Sequence, residues 1–303
     1  MKIKKIISFV LFLALMNSLC ICGYADTQNN SKARAVIGLD LTDEQIEGVY
    51  QYFGFPRGTV PEFRMSNEME RQYLEGYVDS SVIGTRSISC VYIELKDDGS
   101  GMEISTNNIT WCTSEMYMSA LATAGITDAK IIVTAPVPVS GTAALTGVYW
   151  AYEDITGNKL SETAKLVSTQ ELTITGDLAE EIGNMNAVDI VDDLKLMLDE
   201  TATMTDEELA EEIRAIANEY NVVLTDKQVE QLITLCRSLE SVREDDDALI
   251  QRVQNVQDTL KKLKETTSKV EGFVEKTKKA VESVRSFFNR ISGIIGFDNS
   301  PQT

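Results

Sequence analysis

The segment "APVPVSGTAALTG", Ala135 to Gly147, follows an apolar run and gathers prolines, a serine, two threonines and two glycines. A strand handing over to a helix there would present free N–H groups to an anion, the common way a helix start holds phosphate. A nucleotide-hydrolysing loop also needs a lysine after its second glycine, and here Val148 follows Gly147, which argues against nucleotide hydrolysis. Two readings remain. Ser140, Gly141 and Thr142 form an anion-binding helix start with Ser140 or Thr142 as the cap. Alternatively, Gly141, Ala143, Ala144 and Gly147 are small so that the helix can lie close to a sheet, and this reading is preferred.

Other chemistry is narrowed by one absence. The chain has no histidine, which removes Ser-His-Asp and Cys-His catalysis, histidine metal ligands and imidazole proton relays. No metal site and no cofactor are expected. Glu153 and Asp154, beside Tyr149, Trp150 and Tyr152, are the best carboxylate-plus-aromatic cluster. Glycosidases that retain configuration need two carboxylates about 5 Å apart, whereas neighbours on a helix point in different directions. Asp97 and Asp98 in "KDDGSG" lack the alternating acids and distal glutamate of a calcium loop and read as a turn. Glu207, Glu208, Glu211 and Glu212 read as an exposed helix face. Beyond residue 25 the cysteines are Cys90, Cys112 and Cys236. Each fits a small buried apolar position, and a Cys90–Cys112 bridge is left open.

The elements that must position these residues announce themselves by their caps. "LTDEQIEGVYQYFG" opens on Thr42 with Gln45 three residues on, a capping box, and stops at Gly54. "GTVPEFRM" predicts a short strand that Pro61 places at an edge. Ser66 caps a following helix. "RSISCVYIEL" alternates Ile88, Cys90 and Tyr92 against Ser87, Ser89 and Val91, and "KDDGSG" then predicts a hairpin turn into "MEIST". A helix from Thr113 to Gly125, a buried strand "AKIIVTAP" and a helix ending near Gly157 complete the first part. Strand, helix, hairpin, helix, strand, helix predict an α+β fold with a mixed sheet and helices packed on it. From Ser161 to about Val242 the pattern is helical, with capping boxes at Thr205/Glu208 and Thr225/Gln228.

After "REDDDA" a ridge runs through Leu249, Val253, Val256, Leu260, Leu263, Thr267, Val270, Val274, Thr277, Val281, Val284, Phe288, Ile291 and Ile295. Steps of four and three alternate throughout, the spacing of a long helix with a coiled-coil seam. A second row, Phe273, Ala280, Phe287 and Ile294, widens the stripe toward the end. A two-stranded coil wants a narrow seam, so the wide end predicts docking on a protein partner, on a second copy, on the chain's own body or on the outer membrane leaflet. The docking residues expected are Val270, Phe273, Val274, Val281, Val284, Phe287, Phe288, Ile291, Ile294 and Ile295.

The first residues predict export. Lys2, Lys4 and Lys5 precede an apolar run from Ile6 to Ile21, and Gly23-Tyr24-Ala25 supplies small residues before a cut at Asp26, the layout of a secretory leader. The net charge is −19, and it is uneven: residues 26–250 hold 15 basic and 41 acidic side chains, whereas residues from 251 onward hold ten and six. Such a body repels nucleic acid, and no nucleic-acid partner is expected. The expected organisation is a leader over 1–25, an α+β sheet domain over 26–160, a helical domain over 161–242, and a long amphipathic helix over 243–303 with a short disordered end.

At "IGTRSIS", "NITW", "TAGITDAKIIVTAPVPVSGTAALTG" and "TGDL" the chain resembles the YpuA-like family of exported Gram-positive proteins, across roughly Ala33 to Glu240. The resemblance implies an extracytoplasmic protein and carries over no activity and no catalytic residue. Cys112 stands after the "NITW" tryptophan where the resemblance implies an aliphatic residue, which weakens any bridge or cysteine mechanism as a family trait. The expectation is a secreted, non-enzymatic interaction module of the cell envelope. The alternatives are a carboxylate-dependent hydrolase of cell-wall or sugar substrates, or a small-anion receptor.

Overall fold

A computed structural model describes residues 32–74 and 85–266, together with 269, 278, 279 and 282. The expected leader and all ten expected docking residues, Val270 to Ile295, lie outside the described residues.

The described strands are β1 (Ala33–Gly38), β2 (Glu62–Met65), β3 (Cys90–Leu95), β4 (Glu103–Ile109) and β5 (Ala129–Val139). They form one mixed sheet in the order β2-β1-β3-β5-β4. The central strand β3 is antiparallel to both β1 and β5, while β2 runs parallel to β1 and β4 parallel to β5. The sheet is therefore two parallel β-helix-β pairs joined along β3. α1 (Asp43–Phe53) links β1 to β2, and α3 (Ser114–Ala124) links β4 to β5. The α+β class predicted from the element order is what the chain adopts. The edge position of β2 also agrees with the Pro61 argument.

Two sequence expectations need correcting. β3 and β4 do not form a hairpin, because β5 lies between them. The register Val91↔Val133 and Thr106↔Val133 shows why: β5 is the apolar strand, buried through Ala129, Ile131, Val133 and Ala135, and it takes the inner position that polar β4 cannot. β1, "ARAVIG", was not anticipated; its burial at every position gives no alternation to read.

Side chains alternate across the sheet. Ala35, Ile37, Cys90, Tyr92 and Ile132 join Ile46, Val49, Tyr50 and Phe53 of α1 in one core. The opposite face carries Val36 and Val91, and α4 (Thr142–Thr156) covers it. A Cβ on Gly147 would sit 3.4 Å from both valines, at contact distance, so α4 lies close on the sheet at this position.

The caps predicted at Thr42, Ser66, Thr113, Thr205 and Thr225 are formed. Thr42/Gln45, Thr205/Glu208 and Thr225/Gln228 each make both bonds of a capping box, and Thr113 accepts from the N–H of Met116. α2 (Asn67–Leu74) begins after Ser66, whose hydroxyl accepts from the N–H of Met69. Beyond α4 come α5 (Glu162–Ile182), α6 (Asn184–Leu196), α7 (Leu198–Thr201), α8 (Asp206–Glu219) and α9 (Asp226–Asp245). α3 packs against α5 and α6, and α9 packs against α5.

The chain divides into two compact units, up to Gln254 and from Asn255 onward. Helical residues 249–254 close the first unit, where Leu249 and Val253 are fully buried. There Arg252 donates to the carbonyl of Ala122 at the end of α3 (2.8 Å) and pairs with Asp246 (2.6 Å). In the second unit residues 255–266 are helical and Leu263 is 49% exposed.

Candidate functional site

The turn at Ser140–Thr142 is built by packing. β5 runs on through Val139, and α4 starts at Thr142 with Gly141 as its N-terminal residue. Neither Ser140 nor Thr142 caps the helix; Gly141 occupies the cap position at φ 98° with no side-chain bond. The cause is steric. A Cβ on Gly141 would approach Ile109 to 2.5 Å and the Tyr117 hydroxyl to 2.6 Å, and the positive φ suits only glycine. The Tyr117 hydroxyl donates to the Gly141 carbonyl, and the Cys112 N–H donates to the Ser140 carbonyl (3.0 Å). Thr142 is buried, and its hydroxyl lies 3.5 Å from that of Ser140.

Glu153 and Asp154 are brought to different partners. Asp154 accepts from Arg34 at 2.7 Å across the β1–α4 contact. Glu153 accepts from buried Lys165 (3.0 Å), from exposed Lys159, and from the Leu160 N–H (3.1 Å). Burial raises the Glu153 pKa, but the two lysines and the N–H outweigh it, and the carboxyl titrates below its usual range. Both acids are held in ion pairs that tie α4 to its neighbours. Asp97 pairs with Lys32 at 2.8 Å in the exposed turn after β3.

The three cysteines are free and buried. Burial pushes Cys90 and Cys112 up to about 12 and Cys236 up to about 11. A nucleophilic or ligating cysteine must be a thiolate, and these are held as thiols.

The densest set of reactive side chains was not anticipated. Between α3, α5 and α6 the Lys195 ammonium, 0% exposed, donates to Glu171 (2.8 Å), to the Ser119 hydroxyl (2.7 Å) and to the Ser119 carbonyl (3.2 Å). It also pairs with Asp192 at 2.8 Å. The Ser119 hydroxyl reaches Asp192 and Glu171, and the Thr123 hydroxyl donates to Glu171. A serine beside a lysine is nucleophile chemistry in an open cleft. Here all members are at most 1% exposed, so no substrate reaches them, and the set joins three helices instead. Two carboxylates share one ammonium, and Asp192 Oδ2 is buried without a hydrogen-bond partner. Burial accordingly raises Asp192 above the usual carboxylate range. Burial lowers Lys195, but Asp192 and Glu171 outweigh it, and the lysine stays charged. The signal in the sequence was a lysine directly after Leu194 on the apolar stripe of α6, where a solvated lysine does not belong.

Two of the segments that carried the family resemblance meet in space. Trp111 of "NITW" lies on Gly176 of "TGDL", where any Cβ would collide with the indole, and its N–H donates to Glu180 (2.8 Å). Ser87 of "IGTRSIS" donates to buried Glu70, its N–H donates to Asp40 (2.7 Å), and its carbonyl packs against Gly38.

The fold defines an α+β protein with a mixed five-stranded sheet. A family model described as "Protein of unknown function (DUF1002)" matches residues 37–256. The chain is 33% identical over 259 residues to "Uncharacterized protein YpuA" of Bacillus subtilis (strain 168), covering 85% of this chain and 88% of the relative. No solved structure matches. The chain belongs to the DUF1002 family, and the match passes beyond Glu240 into the helix that follows α9.

Proposed function

We propose that the protein is an exported, non-enzymatic interaction module whose C-terminal helix docks on a protein partner or on the outer membrane leaflet. The observation that carries this reading is the change along one ridge. Leu249, Val253, Val256 and Leu260 are buried, whereas Leu263, the next position of the pattern, is 49% exposed. The apolar pattern then continues through Ile295 in a segment rich in lysine and arginine. A basic, apolar-striped segment suits an anionic surface, and the exposure that begins at Leu263 calls for a cover. Among the described residues no helix is long and apolar enough to cross a membrane. The apolar end "RSFFNRISGIIGF" is by its length far too short to span a bilayer, so lying on the leaflet is the membrane form of this reading. Within the body, Glu153 and Asp154 are ion-paired and the cysteines are buried thiols, which supports an interaction role over hydrolysis.

The test compares the full chain with a variant carrying Val281→Ser, Val284→Ser, Phe288→Ser and Ile291→Ser. Flotation with vesicles containing anionic lipid and pull-down from envelope extract should retain the parent and release the variant. Equal behaviour of both proteins in both assays overturns the reading.

A further inference from the structure

One glycine has no conformational or packing reason to be where it is. Gly48 sits in the middle of α1 without a positive φ, and a Cβ built there meets nothing within 4 Å. Glycine inside a helix is less stable than alanine, so the protein accepts a penalty that nothing in its own packing requires. The open space beside Gly48 is a groove of about 560 Å³. It exists because one helix roughly 10 Å wide cannot cover five strands spaced about 4.8 Å apart, which leaves the β5–β4 end of that face open.

The lining is specific. Tyr52, 43% exposed, and Gln51 come from α1, Asn107 and Asn108 from β4, and Thr134 and Pro136 from β5. Asn108 lies at a bulge of β4 with φ 56°, a left-handed conformation that asparagine tolerates and that bulges use to re-aim a side chain. Its amide nitrogen donates to the Ala135 carbonyl at 2.8 Å, and because that carbonyl can only accept, the orientation of the Asn108 amide is settled. The Asn107 amide bonds the Thr134 hydroxyl (3.1 Å), which can donate or accept. The Asn108 amide thus keeps its oxygen as a fixed acceptor in a groove that the half-exposed Tyr52 ring also lines. No lysine or arginine lines the groove, and Glu44 is its one acid.

We infer that this groove is a binding site for a neutral, hydroxyl-rich ligand of the saccharide class, separate from the docking helix. The fixed Asn108 oxygen selects a hydroxyl donor, the Asn107 amide and Thr134 hydroxyl can each donate or accept, and the tyrosine ring offers a face for the C–H side of a sugar. The missing basic residues and the presence of Glu44 disfavour phosphates and carboxylates. Gly48 supplies the room that the ligand occupies.

Titration calorimetry on the full chain tests this, using neutral trisaccharides of glucose and of N-acetylglucosamine, with a neutral tripeptide and inorganic phosphate as contrasts. At least one trisaccharide should bind, about tenfold more weakly to Gly48→Gln and to Tyr52→Ala. Gly48→Gln places a good helix former in open space, so its melting temperature should not fall. If it does fall, Tyr52→Ala alone decides. No trisaccharide binding, undiminished binding by the deciding variant, or equal binding of peptide or phosphate each overturns the assignment.

Discussion

Lys195 carries its charge where no water reaches, and the two carboxylates beside it determine what each substitution there will do. Lys195→Met leaves Glu171 and Asp192 buried without their cation and should cost about 4 kcal/mol in urea unfolding. Replacing Lys195, Glu171 and Asp192 together by apolar residues of similar size should cost far less, because desolvation is then relieved on both sides. The pH dependence separates this cluster from Glu153. Asp192 is raised, so the folded chain holds a proton that the unfolded chain releases near pH 3.9. Its contribution is complete below that value and fades as pH climbs through the raised pKa. Glu153 is lowered, so its contribution is complete above the ordinary glutamate range and is lost as pH falls through the folded value. In urea melts, Asp192→Asn should lose less stability than the parent as pH rises from about 4 to about 7, while Glu153→Gln should lose less on acidification from about pH 5 to about pH 2. The buried thiols give a simpler check: Ellman's reagent should label Cys90, Cys112 and Cys236 only after unfolding.

At the scale of elements, two glycines on helices make opposite predictions. Gly141→Ala forces a Cβ against Tyr117 and Ile109 at φ 98° and should destabilise by about 3 kcal/mol in thermal or urea unfolding. Gly48→Ala adds a Cβ in open space and should stabilise α1 by about 0.5–1 kcal/mol in the same assay. Helix ends were legible from sequence because a cap is a bond between residues three apart; Thr42 with Gln45 needs nothing from the rest of the chain. The partner of β3 was not legible. "KDDGSG" is a good turn sequence, yet a turn specifies only that the chain reverses, and the apolar β5 outcompetes polar β4 for the place beside β3. The cap at Gly141 was missed for a related reason. Ser140 and Thr142 have the chemistry of a cap, but Tyr117, from another helix, takes up the space where a side chain at position 141 would go.

For the whole molecule, charge distribution is a collective term that salt can tune. With 41 acidic and 15 basic residues over 26–250, the body repels itself. Raising sodium chloride from about 10 mM to about 150 mM shortens the Debye length from about 30 Å to about 8 Å, so the melting temperature should rise by a few degrees. Under the docking proposal, the same salt change should weaken binding of the basic C-terminal segment to anionic vesicles, because that attraction is screened too. By itself the sequence determined the α+β class, the helix caps, the charge asymmetry and the family, since these depend on residues close together in the chain or on composition. Only the tertiary structure decided the strand order, the burial of Lys195 with Glu171 and Asp192, the seat of Trp111 on Gly176 and the groove above Gly48. Each of these joins segments far apart in sequence, where pairing is settled by competition for a limited interior rather than by any local pattern.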